Sequence, residues 1–366
     1  MSRRIRVAIV GVGNCASSLV QGVEYYRNLT DEQSVGLAHP TLGGYRLADI
    51  DFVAAFDIDR RKVGRPLNEA CLALPNNTKV FSALDPTVGP IVLPGPVLDG
   101  VPAHMRNYPA DQRFEPADTV AVDAATAMRE MNVDVMLNFL PLGSQEATEY
   151  YAQSAIDAGA AMVNCIPVFI ASDPVWARRF QSAGLPIVGD DIKAQVGATI
   201  THRTLARLFV DRGANITSTY QLNTGGNTDF LNMLARDRLT SKKLSKTQAV
   251  QSQLDVPLAD EQVHIGPSDY VPFLKDNKVC FIRIEGTGFG GVPMNMELRL
   301  SVEDSPNSAG VVVDAIRAAK IARDTGLSGP VDSACRWCMK HPPTQSTDAK
   351  AREDFDRFVS GRTEID

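Results

Sequence analysis

The sequence predicts an α/β protein, a doubly wound parallel sheet with an inserted α+β domain. Three observations lead there. Short apolar runs rich in β-branched residues alternate with helical stretches through the first half of the chain, as in a parallel sheet covered on both faces. The first run ends in Gly11-Val-Gly13-Asn-Cys-Ala16, with glycines where a strand would turn into a helix. Beyond residue 201 lysine-rich stretches separate alternating strands, before a periodic helix closes the insertion.

In order, the parallel strands are predicted at Val7–Val10, Phe52–Phe56, Val133–Phe139, Ala161–Cys165 and Pro186–Val188. Helices are predicted at Ala16–Tyr26, Ser144–Ala158 and Pro174–Ala183, the last capped by Asp173. A helical stretch after Thr201 leads to a strand at Ser218–Leu222. Strands at Val279–Glu285 and Met294–Val302 then read as an antiparallel insertion. After Asp304-Ser-Pro-Asn-Ser308, a helix over Gly310–Asp324 returns the chain to the first domain. The domains are therefore 1–200 with 306–366, and 201–305.

Composition bounds the function. A chain of 366 residues has the size of two domains, and 44% hydrophobic with 22% charged residues suits a soluble globular body. The net charge of −6 argues against a nucleic-acid partner, which needs a concentrated basic face. No apolar run is long enough for a membrane span, and the N-terminal residues lack a signal-peptide cleavage pattern. The scattered cysteines 15, 71, 165, 280, 335 and 338 suit a reducing compartment, so the cytoplasm is expected.

The glycine run is the fingerprint of a Rossmann dinucleotide site. Gly11 permits the tight turn, Gly13 lets the backbone approach a pyrophosphate, and Ala16 takes the third small position, with Asn14 and Cys15 between them. The helix N-terminus adds unpaired N–H groups and partial positive charge. Without a ligand, the same run would be an ordinary strand-to-helix turn. Asp57, ending the second strand, is the candidate for the adenosine ribose hydroxyls and points to NAD, whereas Arg60 and Arg61 beside it would favour NADP. Asp57 lies about 40 residues past the glycines, where ~20 is usual; a polar insertion around 28–49 accounts for the extra length.

Lysines suited to chemistry recur in the second half. Lys242 and Lys246 share one face if their segment is helical, an arrangement that is unfavourable unless an anion joins them. Lys278 and Lys340 follow. Any one of these lysines alone reads first as a solvated surface residue. Asn223-Thr-Gly-Gly-Asn227-Thr-Asp229 makes a polar turn without bulk. Gly-Asp190-Asp191-Ile-Lys193-Ala-Gln195-Val-Gly197 follows a strand and opens a helix, a second place where N–H groups could hold a phosphate. The plainer readings are an ordinary turn for the first and a helix cap by Asp191 for the second.

These segments, with Ser-Lys-Thr at 245–247 and Asp-Ser-Pro-Asn-Ser-Ala-Gly at 304–310, resemble the bacterial myo-inositol-1-phosphate synthases, particularly the actinobacterial branch, over nearly the whole chain. The resemblance implies NAD-dependent, redox-neutral closure of glucose 6-phosphate: oxidation at C5, enolisation, intramolecular aldol addition to C1, then reduction. It implies Lys242, Lys246, Lys278 and Lys340 as active-site lysines, with Asp229, Asp276 and Asp304 as their carboxylates. Lys242 and Lys278 would serve the C5 oxygen and its proton relay, and Lys246 and Lys340 the phosphate and the C1 oxygen. The 191–199 turn, including Ala194, Gln195 and Gly197, resembles the family's phosphate-holding and nicotinamide-facing loop. Tyr151, Asp191, Ala194, Asp229 and Lys242 would line the cofactor. Lysines so crowded should titrate low, making a neutral amine available as a base. A homotetramer assembled through the inserted sheet is also implied.

Three stretches depart from the actinobacterial pattern: Asn138-Phe139, 273–280, and Cys335 to Cys338. They bring in an alternative, a relative closing fructose 6-phosphate to a five-membered cyclitol phosphate. Other classes are a plain NAD-dependent dehydrogenase and a catalytically silent NAD-binding regulator. Cys335-x-x-Cys338-x-x-His341 offers three metal ligands, but a lone pair of cysteines on one helical turn reads first as packing. Some family members use a cation near the phosphate, which leaves a metal open here.

Overall fold

The computed structural model describes residues 3–235, 240–266 and 268–361, and of residues 240–243 the backbone alone. In chain order the strands are β1 (Ile5–Val10), β2 (Thr41–Leu42), β3 (Tyr45–Arg46), β4 (Ile50–Asp57), β5 (Val92–Pro94), β6 (Val135–Asn138), β7 (Ala161–Asn164), β8 (Pro186–Val188), β9 (Asn215–Gly225), β10 (Val263–Ile265), β11 (Asp269–Tyr270), β12 (Asn277–Thr287), β13 (Pro293–Glu303) and β14 (Gly329–Pro330). The helices are α1 (Asn14–Tyr26), α2 (Leu67–Ala70), α3 (Ala124–Glu130), α4 (Gln145–Ala158), α5 (Pro174–Ser182), α6 (Ala198–Asp211), α7 (Thr228–Asn232), α8 (Thr240–Gln251), α9 (Asp304–Asp324), α10 (Asp332–Cys338) and α11 (Asp348–Val359). None of them is long and apolar enough to cross a membrane among the described residues.

Seven strands form one parallel sheet in the order β14-β8-β7-β6-β1-β4-β5, the doubly wound Rossmann order. β1 shows why. Its Ile5, Val7 and Ile9 enter one core with α1 and α9, while Ala8 and Val10 enter a second core with α3, α4 and α5. Alternation sends successive side chains to opposite faces, so a strand covered on both sides must be apolar throughout. The chain winds outward in both directions from β1, and ligands of such sheets bind in the crevice at the carboxyl ends of the strands beside that switch point.

The second sheet, β10-β9-β12-β13 with β11 also on β9, is inserted between β8 and α9. β12 runs antiparallel to β9 and β13, but β10 and β11 run parallel to β9. The antiparallel expectation is therefore corrected to a mixed sheet. α7 and α8 lie between β9 and β10, and a helical crossover of that length is what parallel pairing needs. α9 begins at Asp304 rather than Gly310. Pro306 falls in its first turn, where a missing N–H costs nothing, and Asp304 suits the positive end of the helix. β5 escaped the sequence reading because it is three residues long and ends in proline.

The insertion around 28–49 is an ordered clamp. Arg317 of α9, fully buried, donates to the carbonyls of His39 (2.8 Å), Pro40 (3.2 Å) and Tyr45 (3.3 Å) and pairs with buried Asp314. His39 bonds Asp314 through Nδ1 at 2.7 Å and Asp356 through Nε2 at 3.3 Å. Burial alone would lower the imidazole's pKa, but the two carboxylates outweigh it and raise the value. The stabilisation from a raised histidine is complete below its unfolded value of about 6.5 and is lost as pH rises through the folded value. Urea unfolding should therefore show wild type more stable than a His39→Gln variant below about pH 6.5, with the gap shrinking at higher pH. A gap independent of pH would count against the clamp's charge.

Candidate active site

The turn from β1 into α1 is held open by two glycines. Gly11 has φ +89, and a Cβ there would stand 2.7 Å from the Phe139 carbonyl oxygen, so no other residue fits. Gly13 precedes α1 without a side-chain cap, and a Cβ built on it meets nothing within 4 Å. Both glycines, Asn14 and Cys15 border one large cavity, whereas Ala16 is buried in the core beneath. Asn14 ties the turn to its surroundings, donating to Asn77 (2.8 Å) and Asp276 (3.3 Å). Burial, then Asp276 and Asp304, push the Cys15 thiol up to about 12. Asp57 accepts from the backbone N–H groups of Val12 (2.7 Å), Ile58 (2.7 Å) and Asp59 (2.8 Å) and borders the cavity, as does buried Tyr151.

The second sheet, α7, α8, α9 and the segments after β8 and α10 add charged side chains to the same lining. Lys278 on β12 donates to Asp304 at 3.1 Å, with its ammonium 5.8 Å from the centre of the Phe230 ring. Lys340 donates to Asp191 at 2.8 Å, and Asp191, at φ +63, also accepts from Ser245 of α8 at 2.7 Å. Lys246 on α8 and Asp229 on α7 complete this lining. Lys242 shares α8 with Lys246 as the spacing predicted, but its side chain lies outside the described residues. The expectation of lowered lysine pKa values fails at Lys278: burial favours the neutral amine, but attraction and hydrogen bonding to Asp304 overcome it and raise the pKa. Lys278 and Lys340 have each been brought in with a carboxylate, not only with other lysines.

Besides Ala16, two more predicted residues stand elsewhere. Asp276 is buried and does not border the cavity. It accepts from Asn227 (2.8 Å), Asn14 (3.3 Å) and Ser305 Oγ (2.9 Å), joining the glycine turn, the Asn-Thr-Gly-Gly-Asn turn and α9; burial pushes its carboxyl up to about 6. Gln195 turns from the cavity to donate to the Gly36 carbonyl at 2.6 Å, so it links the 191–199 turn to the insertion. Gly197 precedes α6 without a side-chain cap, and Gly197, Ala198, Thr199 and Ile200 border the cavity with Ala194. Two helix N-termini, of α1 and α6, thus open onto one space. That gives two separate places for anions.

Lys193 was missed as a functional residue. It borders the cavity, is buried, and donates to the Arg336 carbonyl (2.7 Å) and to Asp348 (3.1 Å), which also binds Arg203 (3.0 Å). Burial pushes its pKa down to about 8. Its place after Asp-Asp-Ile was the only local signal. Cys335 instead packs inward, with Sγ 3.8 Å from the Ile187 carbonyl, and His341 stacks on Phe169. Among the described residues no three His, Cys, Asp or Glu groups are placed to hold a metal.

The myo-inositol-1-phosphate synthase family model matches residues 197–305. Inositol-3-phosphate synthase of Mycolicibacterium smegmatis is 57% identical over 98% of each chain. This chain belongs to the myo-inositol-1-phosphate synthase family. The inositol-3-phosphate synthase of Corynebacterium glutamicum is 55% identical, over 97% of this chain and 98% of its own. A solved myo-inositol-1-phosphate synthase-related protein from Thermotoga maritima superposes with a TM-score of 0.82 at 27% identity, covering 98% of both chains. As a member of this family the protein is an enzyme, an intramolecular lyase or isomerase.

Within this synthase fold, Asp348 neutralises two largely buried cations, so Asp348→Leu should cost about 3 kcal/mol in denaturant unfolding. Adding Lys193→Met should restore part of that loss, because it removes one stranded charge. Strictly additive losses would show that the three groups do not act together.

Proposed function

We propose that the protein closes glucose 6-phosphate to a myo-inositol phosphate, using NAD catalytically. What carries this reading is identity to inositol-3-phosphate synthases over the full chain, joined to a single cavity lined by a dinucleotide turn and by paired lysines.

The residues fit NAD. Gly13 leaves open space before the uncapped N-terminus of α1, where a pyrophosphate would rest, and Asp57 borders the same cavity for the ribose hydroxyls. Tyr151, Asp191 and Ala194 would line it further, with Asp229 and Lys242 beyond. Reversible hydride transfer is the chemistry that NAD supplies when bound.

The chain's own groups position the sugar and bear its charge. The α6 N-terminus at Gly197–Ile200, with Lys246, would hold the phosphate dianion. Lys278 would hydrogen-bond the oxygen at C5; as the C5 hydroxyl gives its proton to Lys278, Lys278 would hand one of its own to Asp304, and the transfer would run back when the ketone is reduced. Lys340, tethered by Asp191, would stabilise the oxygen at C1 as the ring closes. Lys242 belongs with Lys278 in this scheme. Such donors act on charge that develops only in the transition state, so each is worth roughly 3–4 kcal/mol.

We assign residues 1–200 and 306–366 to cofactor binding, and 201–305 to catalysis and assembly. The exposed apolar Phe281, Val292 and Met294 on β12 and at β13 support a homotetramer built through that sheet. The free thiols suit the cytoplasm.

The test is carbon NMR of uniformly labelled glucose 6-phosphate incubated with the protein and NAD far below the sugar's concentration. A six-membered cyclitol phosphate exceeding the NAD, with no net NADH absorbance, is the expected result. NADH growing in step with substrate loss would make the protein a plain dehydrogenase. A five-membered product formed only from fructose 6-phosphate would overturn the substrate.

A further inference from the structure

Three consecutive cations, Arg60, Arg61 and Lys62, follow closely on Asp57. In a Rossmann site a basic residue near that acid is what accommodates the 2′-phosphate of NADP. The structure commits all three elsewhere. Lys62 is buried and donates to the Val12 carbonyl (2.8 Å) and Asn76 (2.9 Å). Arg61 grips Asp59 through Nε (2.8 Å) and Nη2 (2.5 Å) and donates to the carbonyls of Ala110 and Arg113. Arg60 differs: its side chain is 65% exposed, and among the described residues its side-chain partner is Glu115, which accepts from Nε at 2.9 Å and Nη2 at 2.6 Å.

Glu115 is well placed to hold it. Its backbone carbonyl accepts from Arg60 N–H (2.8 Å) and its N–H donates to Asp59 (3.0 Å), while Ala117 N–H donates to the Ile58 carbonyl (2.7 Å). The 115–117 stretch is thereby laid along the end of β4, and the adjacent Phe114 borders the cavity beside Ile58. The Arg60 guanidinium holds Glu115 below the usual carboxylate range, so it is ionised at neutral pH.

We infer that Glu115 is a specificity-determining residue for the dinucleotide: it sequesters Arg60, the exposed cation near Asp57 that would otherwise be available to pair with a 2′-phosphate. This rests on the NAD reading above. Swinging Arg60 to a phosphate would forfeit a charge-assisted bidentate pair and leave Glu115 with its longer contact to Arg113 at 3.4 Å.

Equilibrium binding of NAD and of NADP to the full chain, followed by protein fluorescence, tests this. Wild type should favour NAD. Glu115→Gln, which keeps the backbone bonds, should tighten NADP about tenfold and move NAD by less than about twofold. Adding Arg60→Gln should cancel the gain, while Arg60→Gln alone should leave wild-type NADP affinity within about twofold. Unchanged NADP affinity in Glu115→Gln, a gain that survives Arg60→Gln, or weaker NADP binding in Arg60→Gln alone would each overturn the inference. A wild type that prefers NADP would overturn the NAD reading itself, and that result needs no variant.

Discussion

An ammonium group is expensive to take out of water unless a carboxylate comes with it, and this constraint organises the cleft. Lys278 arrives with Asp304 and Lys340 with Asp191. Lys193, which also borders the cavity, shares Asp348 with Arg203. Each pairing keeps a cation at the cavity without leaving it uncompensated. Each also fixes what that cation can do. Lys278, its pKa raised by its contact with Asp304, is a donor and a stabiliser of negative charge, and its proton moves through its partner.

The pairs also explain how two sheets can build one site. Asp304 opens α9, which packs on the parallel sheet, while Lys278 lies on the inserted one. Asp276 performs the same service from beneath, where its carboxylate gathers Asn14, Asn227 and Ser305 from three separate segments. α1 and α6, both beginning at the cavity, add partial positive charge that needs no side chain. Both helix N-termini and the side chains of Lys246, Lys278 and Lys340 border the same cavity.

Much of this was legible in the sequence because it is local. The β1–α1 glycine turn, the apolar strands and the capped α5 depend on near neighbours, and the motif resemblance carried the family. Other features depend on partners far along the chain. Lys193 meets Asp348 across 155 positions, and nothing near either residue announces the pair. Gln195 sits in a turn with the right composition for a phosphate loop, yet its side chain is drawn away by Gly36. The direction of β10 and β11 follows from the crossover through α7 and α8, which alternation within a strand does not encode. Lysine crowding suggested low pKa values, but the sign at Lys278 is decided by the carboxylate opposite, a fact of three-dimensional placement.

The chemistry of the cleft depends on Lys278 being an ammonium ion. Lysine labelled with carbon-13 at Cε, with the Lys278 signal assigned through a Lys278→Arg variant, would report its titration by NMR. The structure predicts a wild-type midpoint above the ordinary value of about 10.4 and a fall below that value in Asp304→Asn, where burial acts without the charge. A wild-type midpoint near neutrality would contradict it, and would return Lys278 to the role of a neutral base.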